Sequence, residues 1–427
     1  MTDDATAPGA VQTAGNPPIR RATDWDADRL SSLADEYGTP LYVLDLARVR
    51  QNLQRIRQAF PMAAVYYAAK ANACGAVLET VDAAGAGVEC ASAGEVDRAR
   101  RVGVSAADIL HTAVNPPSAD LDYIAEVAAA DPAVTVTAGA LDTIDRLVDR
   151  NFAGRVLLRV HPGIGAGHHE SVATGGDAKF GVPVDRAIDA IRRAADAGLD
   201  VAGLHAHAGS GIDDDSIGAH RQMVETLARL ATESPVAIET VDVGGGFGVP
   251  YRPTDPPVDI EAIARETRAA LEGVDAQLAI EPGRYVVADA GMLVTEVNTV
   301  KPANDETIVG VDAGMTTLLR PALYGAYHEV VPLNAAGDDR QPVRATITGP
   351  ICEGADVLAA DRTLPRPVRG DRLAIGNAGA YGYEMANHYN SRPRPATVVL
   401  DGDRAAPHRR RETYDDLVRL EREVEWR

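Results

Sequence analysis

The sequence predicts a (β/α)8 barrel followed by an all-β domain. Three observations lead there. Between about residue 65 and residue 285, eight short apolar runs alternate with segments whose apolar residues recur at helical spacing. Polar and glycine residues gather at the ends of those runs, the face on which such barrels carry their active sites. After Ala290 the helical spacing stops, and short β-rich runs spaced by Gly, Pro and Asp take over.

The predicted barrel strands are Val65–Lys70, Gly87–Ala91, Asp108–Ala113, Ala133–Thr137, Arg155–His161, Val201–His207, Glu239–Val243 and Gln277–Glu281. Ala93–Val102, Asp142–Arg150, Asp185–Ala197, Ile217–Thr232 and Ile260–Leu271 read as helices between them. Met292–Val300, Thr307–Val311, Val343–Thr348, Asp371–Ile375 and Ala396–Leu400 read as strands of the second domain. Tyr42-Val43-Leu44 lies ahead of the barrel and is expected to add a strand to that second domain. The chain therefore divides into a disordered acidic tail (1–20), an N-terminal segment joining the β domain (21–46), the barrel (47–290), the β domain (291–405) and a charged C-terminal tail or helix (406–427).

A length of 427 residues suits two domains, and 45% hydrophobic residues can fill two cores. No run approaches the roughly 20 apolar residues of a membrane span. The N-terminus has no basic-then-apolar signal pattern, so a cytoplasmic protein is expected. The three cysteines, Cys74, Cys90 and Cys352, have no metal or disulfide spacing. A net charge of −20 argues against nucleic acid or an anionic membrane as partner. The acid is dispersed, and lysine is confined to Lys70, Lys179 and Lys301. Dispersed acid with so little lysine suggests a halophilic protein, whose self-repulsion is screened by salt. GC-rich codon usage would explain arginine over lysine, but not the excess acid.

Lys70 is the most informative residue. It closes the apolar run Val65–Ala69 and is followed by Ala71-Asn72. Arginine cannot be deprotonated, so it cannot replace an amine that must attack a carbonyl. Burial is expected to lower the lysine pKa and expose a neutral amine, which points to Schiff-base chemistry. A lysine snorkelling from a strand end is the competing reading.

The run Gly244-Gly245-Gly246 after strand seven suits convergent backbone N–H groups on a phosphate, or a flexible turn. Glu281-Pro282-Gly283-Arg284 after strand eight offers a carboxylate for a pyridine nitrogen and an arginine fork, or a surface salt bridge. In His205-Ala206-His207-Ala208-Gly209-Ser210, His207 suits stacking on an aromatic cofactor and Ser210 its phosphate, whereas His205 reads as structural. A metal pair is the alternative there, as it is for His161 with His168-His169-Glu170. No metal is expected at either. The glycine-rich stretch up to Lys179-Phe180-Gly181 reads as a mobile loop over a pocket. In the β domain, Arg320 to Gly325, Cys352-Glu353 and Gly379-Ala380-Tyr381 are further polar clusters.

Together these segments resemble the diaminopimelate decarboxylases, of the alanine-racemase-like, fold-type III pyridoxal-phosphate enzymes. The resemblance runs from about Thr39 to Leu400. It rests on Gly38–Tyr42, Tyr67–Asn72, His205–Ser210, the triple glycine, Glu281–Arg284, Arg320–His328, Gly349–Glu353, and Gly379–Tyr381 leading to Tyr389–Pro393. It implies pyridoxal 5'-phosphate as cofactor and Lys70 as its Schiff-base lysine. His207 would stack on the ring; Ser210, Gly245, Gly246 and Tyr381 would hold the phosphate; Glu281 would face the ring nitrogen. Arg284, Arg320 and Tyr324 would grip substrate carboxylates. Glu353 would meet the distal amino end, with Cys352 as candidate proton donor. These last two would reach the neighbouring subunit's site, which implies a homodimer. Gly354 departs from the family, which usually has serine there. A carboxylate rather than an arginine or cysteine at the ring nitrogen favours decarboxylation over racemisation. The implied reaction is decarboxylation of meso-diaminopimelate to L-lysine and CO2. The alternatives are a related decarboxylase acting on ornithine, lysine, arginine or carboxynorspermidine, and an inert pyridoxal-binding protein.

Overall fold

The computed structural model describes residues 16–164, 166–167, 179–212, 216–303, 305–333 and 339–424. Most of the predicted acidic tail, and His168-His169-Glu170, lie outside the described residues.

Among the described residues, eight parallel strands close a ring. They are Ala64–Ala68, Gly87–Cys90, Ile109–His111, Thr135–Ala138, Arg155–His161, Asp200–His205, Thr240–Asp242 and Gln277–Ile280. Closure is set by Ala279 opposite Ala64, between the eighth strand and the first. Tyr66, Leu110, Leu157 and Ala202 meet as an apolar plug inside the barrel. The outward residues of the same strands, such as Val65, Val88 and Val136, pack into the shell of helices. That alternation buries both faces, as a parallel sheet requires.

The first strand ends two residues before the sequence suggests. Ala68 makes a last backbone bond to Pro282 (3.2 Å), and Ala69–Ala71 form a single 3-10 turn. Lys70 thus sits in a turn beyond the ladder. Asn72 pins the exit: its Nδ2 donates to Gly379 O (2.8 Å), and its Oδ1 accepts from Cys74 N (3.0 Å). The helix after the eighth strand is short, Arg284–Val287. The long helix Leu46–Ala59, which precedes the first strand, packs beside it through Asn52 Nδ2 to Val286 O (2.9 Å).

The second domain is built on a branched sheet. Its central strand is Gly291–Ala303, and beside it lies Leu41–Asp45 from ahead of the barrel. Leu41–Asp45 runs antiparallel to Gly291–Ala303 and parallel to Ala396–Asp401. The N-terminal segment therefore completes the sheet. Three strands not foreseen from the sequence are Val330–Pro332, Val357–Pro365 and Arg404–Arg409. The last continues beyond residue 405, so the region expected as tail begins as a strand paired with Ala396–Asp401. A helix follows at Tyr414–Val418. At the other end, Asn16–Arg20 belong to the folded structure, unlike the expected disorder. Arg20 pairs with Asp45 (2.7 Å), and Pro17 O accepts from Arg48 Nη1 (2.8 Å).

The two domains meet where Gly291 and Gly379 pass backbone to backbone; a side chain at either would collide with main-chain atoms. This close approach carries Tyr381 onto the barrel, where its N–H donates to Ala71 O (2.8 Å).

Candidate active site

The predicted residues other than Cys352 and Glu353 converge on the C-terminal face of the barrel. Lys70 Nζ is hydrogen-bonded to Glu89 Oε2, an ion pair whose carboxylate is fully buried while the lysine side chain stays 43% exposed. Burial alone would lower the Lys70 ammonium, but the Glu89 and Glu281 carboxylates oppose it and leave it raised. The direction is opposite to the sequence expectation, because the turn sets the amine beside two carboxylates whose charge outweighs its desolvation. Glu89 is pushed up to about 7 by burial, which outweighs the opposing Lys70 charge.

Glu281 accepts from Thr112 Oγ1 (3.3 Å) and faces His205 Nε2 at 3.4 Å. Burial would raise its carboxyl, but His205 and Lys70 win and hold it at about 2. Burial lowers the His205 imidazole, and the Glu281 charge opposes that shift. His205, Asp242 and Glu281 place one ligand atom each within 4.8 Å of one another. Burial and the Glu281 charge push the Asp242 carboxyl well above its ordinary value. Asp242 Oδ1 accepts from Gly244 N (2.8 Å), which ties the start of the glycine run to the end of the seventh strand. His207, next to Gly244, is neutral, pushed down to about 3 by burial and then by Arg159.

The glycine run is enforced by crowding. A Cβ on Gly245 would strike Glu281 O, and one on Gly246 would strike Gly209 O. Gly246 also has φ +93°, in the left-handed region that favours glycine. Arg284 donates to Ser210 Oγ (3.0 Å) and to Tyr251 Oη (2.7 Å), and its guanidinium stands 4.8 Å from the Tyr381 ring centre. Arg320 stacks on the other aromatic, 4.7 Å from the Tyr251 ring centre. A cavity of about 660 Å³ opens beside them, lined by Tyr251, Arg284, Arg320 and Tyr324.

Residues 46–288 match the pyridoxal-dependent decarboxylases, pyridoxal binding domain. The diaminopimelate decarboxylase of Methanothermobacter thermautotrophicus is 39% identical over 402 residues, covering 91% of this chain and 92% of that one. The chain belongs to the diaminopimelate decarboxylase family. The Aquifex aeolicus member is 34% identical over 399 residues, covering 91% and 93%. The structure of the Helicobacter pylori diaminopimelate decarboxylase complexed with L-lysine superposes with a TM-score of 0.85 at 29% identity, covering 92% and 99%.

Pyridoxal 5'-phosphate, the cofactor of this decarboxylase family, suits the site. A lysine amine, a buried ionised carboxylate and a glycine cradle that any Cβ would fill lie on one face, with Arg284 adjoining Ser210. The structure does not bring Cys352 and Glu353 into this cluster. Both are exposed on the β domain. Cys352 N and Sγ each donate to Asn390 Oδ1 (3.2 Å), and Tyr389 Oη donates to Glu353. Sequence reasoning gave no role to Glu89, within the predicted strand Gly87–Ala91, and passed over Tyr251. Its signal was weak: one tyrosine after Gly248-Val249-Pro250, a turn like any other.

Proposed function

We propose that this chain decarboxylates meso-2,6-diaminopimelate to L-lysine and CO2, the last step in making lysine. The observation that carries the reading is the adjoining of two sites. Lys70 and Glu281 share the barrel mouth with a cavity walled by Arg284, Arg320 and Tyr324. A second carboxylate, besides the one lost, is what that arginine-lined cavity is suited to hold. Bound at the mouth, pyridoxal 5'-phosphate supplies a sink for the electrons left on Cα when CO2 departs.

Lys70 would anchor the cofactor, with Glu89 the nearest acceptor for the proton its ammonium must shed. His207 would cover the ring, and Ser210, Gly245, Gly246 and Tyr381 would hold the phosphate. Glu281, ionised and buried, would keep a proton on the ring nitrogen. Arg284, Arg320 and Tyr324 would orient the retained carboxylate. Exposure of Cys352 and Glu353 supports their delivery to a partner subunit's site in a homodimer. There Cys352 would return a proton to Cα and Glu353 would meet the distal ammonium. A cytoplasmic enzyme adapted to high salt fits the charge of −20, and no helix among the described residues is long and apolar enough to cross a membrane.

The test is CO2 release from meso-diaminopimelate, L-lysine, L-ornithine and L-arginine by the holoenzyme. Release from diaminopimelate alone is expected. Faster release from any of the others would replace the substrate.

A further inference from the structure

His328 is fully buried and both of its ring nitrogens are engaged. Nε2 lies 2.8 Å from Arg320 Nη1, and Nδ1 lies 2.8 Å from Gly376 O. A guanidinium can only donate, and a carbonyl can only accept. The tautomer is therefore fixed: Nε2 accepts from Arg320 while Nδ1–H donates to Gly376. Gly376 N–H returns a bond to Glu329 O (2.9 Å), so the histidine is clamped to the neighbouring strand. A second ring proton would point at the guanidinium. Burial, then Arg320, push the imidazole down to about 3, so it stays an acceptor throughout the neutral range.

Arg320 is bracketed. His328 takes one N–H at its edge, and the Tyr251 ring lies on its face. Tyr251 in turn packs edge-on against His328, with ring centres 5.3 Å apart at 79°. Its hydroxyl accepts from Arg284, which keeps a phenol between two guanidinium groups that would otherwise repel.

We infer that His328 is a positioning residue for substrate selection: by accepting from Arg320 it fixes which edge of that guanidinium faces the carboxylate cavity. The inference rests on the proposed role of Arg320 in gripping the retained carboxylate. Decarboxylation at one end of diaminopimelate leaves the other end untouched, so L-lysine keeps the carboxylate that Arg320 would hold. Cadaverine, with the same chain and both amines, lacks it.

The experiment compares wild-type holoenzyme with His328→Leu, His328→Gln and Tyr251→Leu. Readouts are KM and kcat for diaminopimelate, and binding of L-lysine and of cadaverine by calorimetry. Loss of a charge-assisted hydrogen bond predicts a KM and an L-lysine Kd raised about tenfold in His328→Leu, with kcat changed far less. Cadaverine binding should stay as in wild type. Glutamine can present an oxygen where Nε2 stood, so His328→Gln should recover most of the loss. Should the leucine variant not fold, Tyr251→Leu, which removes the other side of the bracket, is expected to show the same split. Unchanged L-lysine affinity in folded variants, or equal weakening of cadaverine, would overturn the inference. Absence of wild-type turnover on diaminopimelate would instead strike the proposed reaction, while the L-lysine arm would still judge His328.

Discussion

Lys70 and Glu89 share a hydrogen bond between the turn after the first barrel strand and the end of the second. The pair titrates as a unit: the carboxylate raises the ammonium, and the ammonium partly relieves a carboxyl that burial drives upward. The amine that must lose a proton thus has its acceptor already in contact.

Glu89→Gln removes one of the two carboxylates that raise Lys70, while the desolvation that lowers it remains. The ammonium should then deprotonate at lower pH. The rate at which cofactor-stripped protein regains its Schiff-base absorbance should rise at a lower pH in the variant. A midpoint that does not move would rule out the coupling.

Glu281→Gln should still bind pyridoxal 5'-phosphate but lose kcat by on the order of 10²–10³, as when a preorganised electrostatic partner is removed. Holoenzyme absorbance and CO2 release measure the two separately. Near-normal turnover would remove the electron-sink argument.

If Glu353 meets the distal ammonium, Glu353→Ala leaves that charge unpaired, at a cost of about 2–5 kcal/mol. It should appear in kcat/KM for diaminopimelate with the cofactor spectrum unaltered. Lys70→Ala should be inactive, with no Schiff-base band. If sites are shared, subunit exchange between these two variants should restore part of the activity, because one of the two sites in each heterodimer has both native residues. Verified exchange without recovery would confine the chemistry to one chain.

Asp289 ties the helix Leu46–Ala59 to the end of the barrel. It accepts from Arg48 Nη2 (2.6 Å) and Nε (3.1 Å), and from Asn52 Nδ2 (2.8 Å). Arg48 is only 2% exposed. Asp289→Ala would strand a buried guanidinium and lower stability by about 3–5 kcal/mol in a urea titration. A loss below 1 kcal/mol would mean that the pair is dispensable.

The barrel was legible because its parallel strands are buried on both faces and so read as apolar runs. The three strands of the second domain that were missed all lie at sheet edges. Val357–Pro365 carries Asp361 and Arg362, and Arg404–Arg409 is almost wholly exposed. Edge strands carry charge as a guard against pairing with other chains, and this erases the alternation that marks a strand. In the site, Lys70, Glu281 and Arg284 stand in short motifs at strand ends. Tyr251 and Glu89 gain meaning only from what folds against them. The direction of the Lys70 shift could not be read either, since it depends on carboxylates 19 and 211 positions away.

Leu41–Asp45 occupies the middle of a sheet whose other strands begin at Gly291. During synthesis this strand leaves the ribosome long before Gly291–Ala303 and Ala396–Asp401 exist. At ~5–20 residues per second the wait is on the order of tens of seconds. Throughout that time an apolar segment with two unpaired edges hangs from the start of a barrel that is itself still growing. Chains that stall or are cut after the barrel would keep the segment exposed permanently. They are the forms expected to need chaperones, or to aggregate, in the cell that makes this protein.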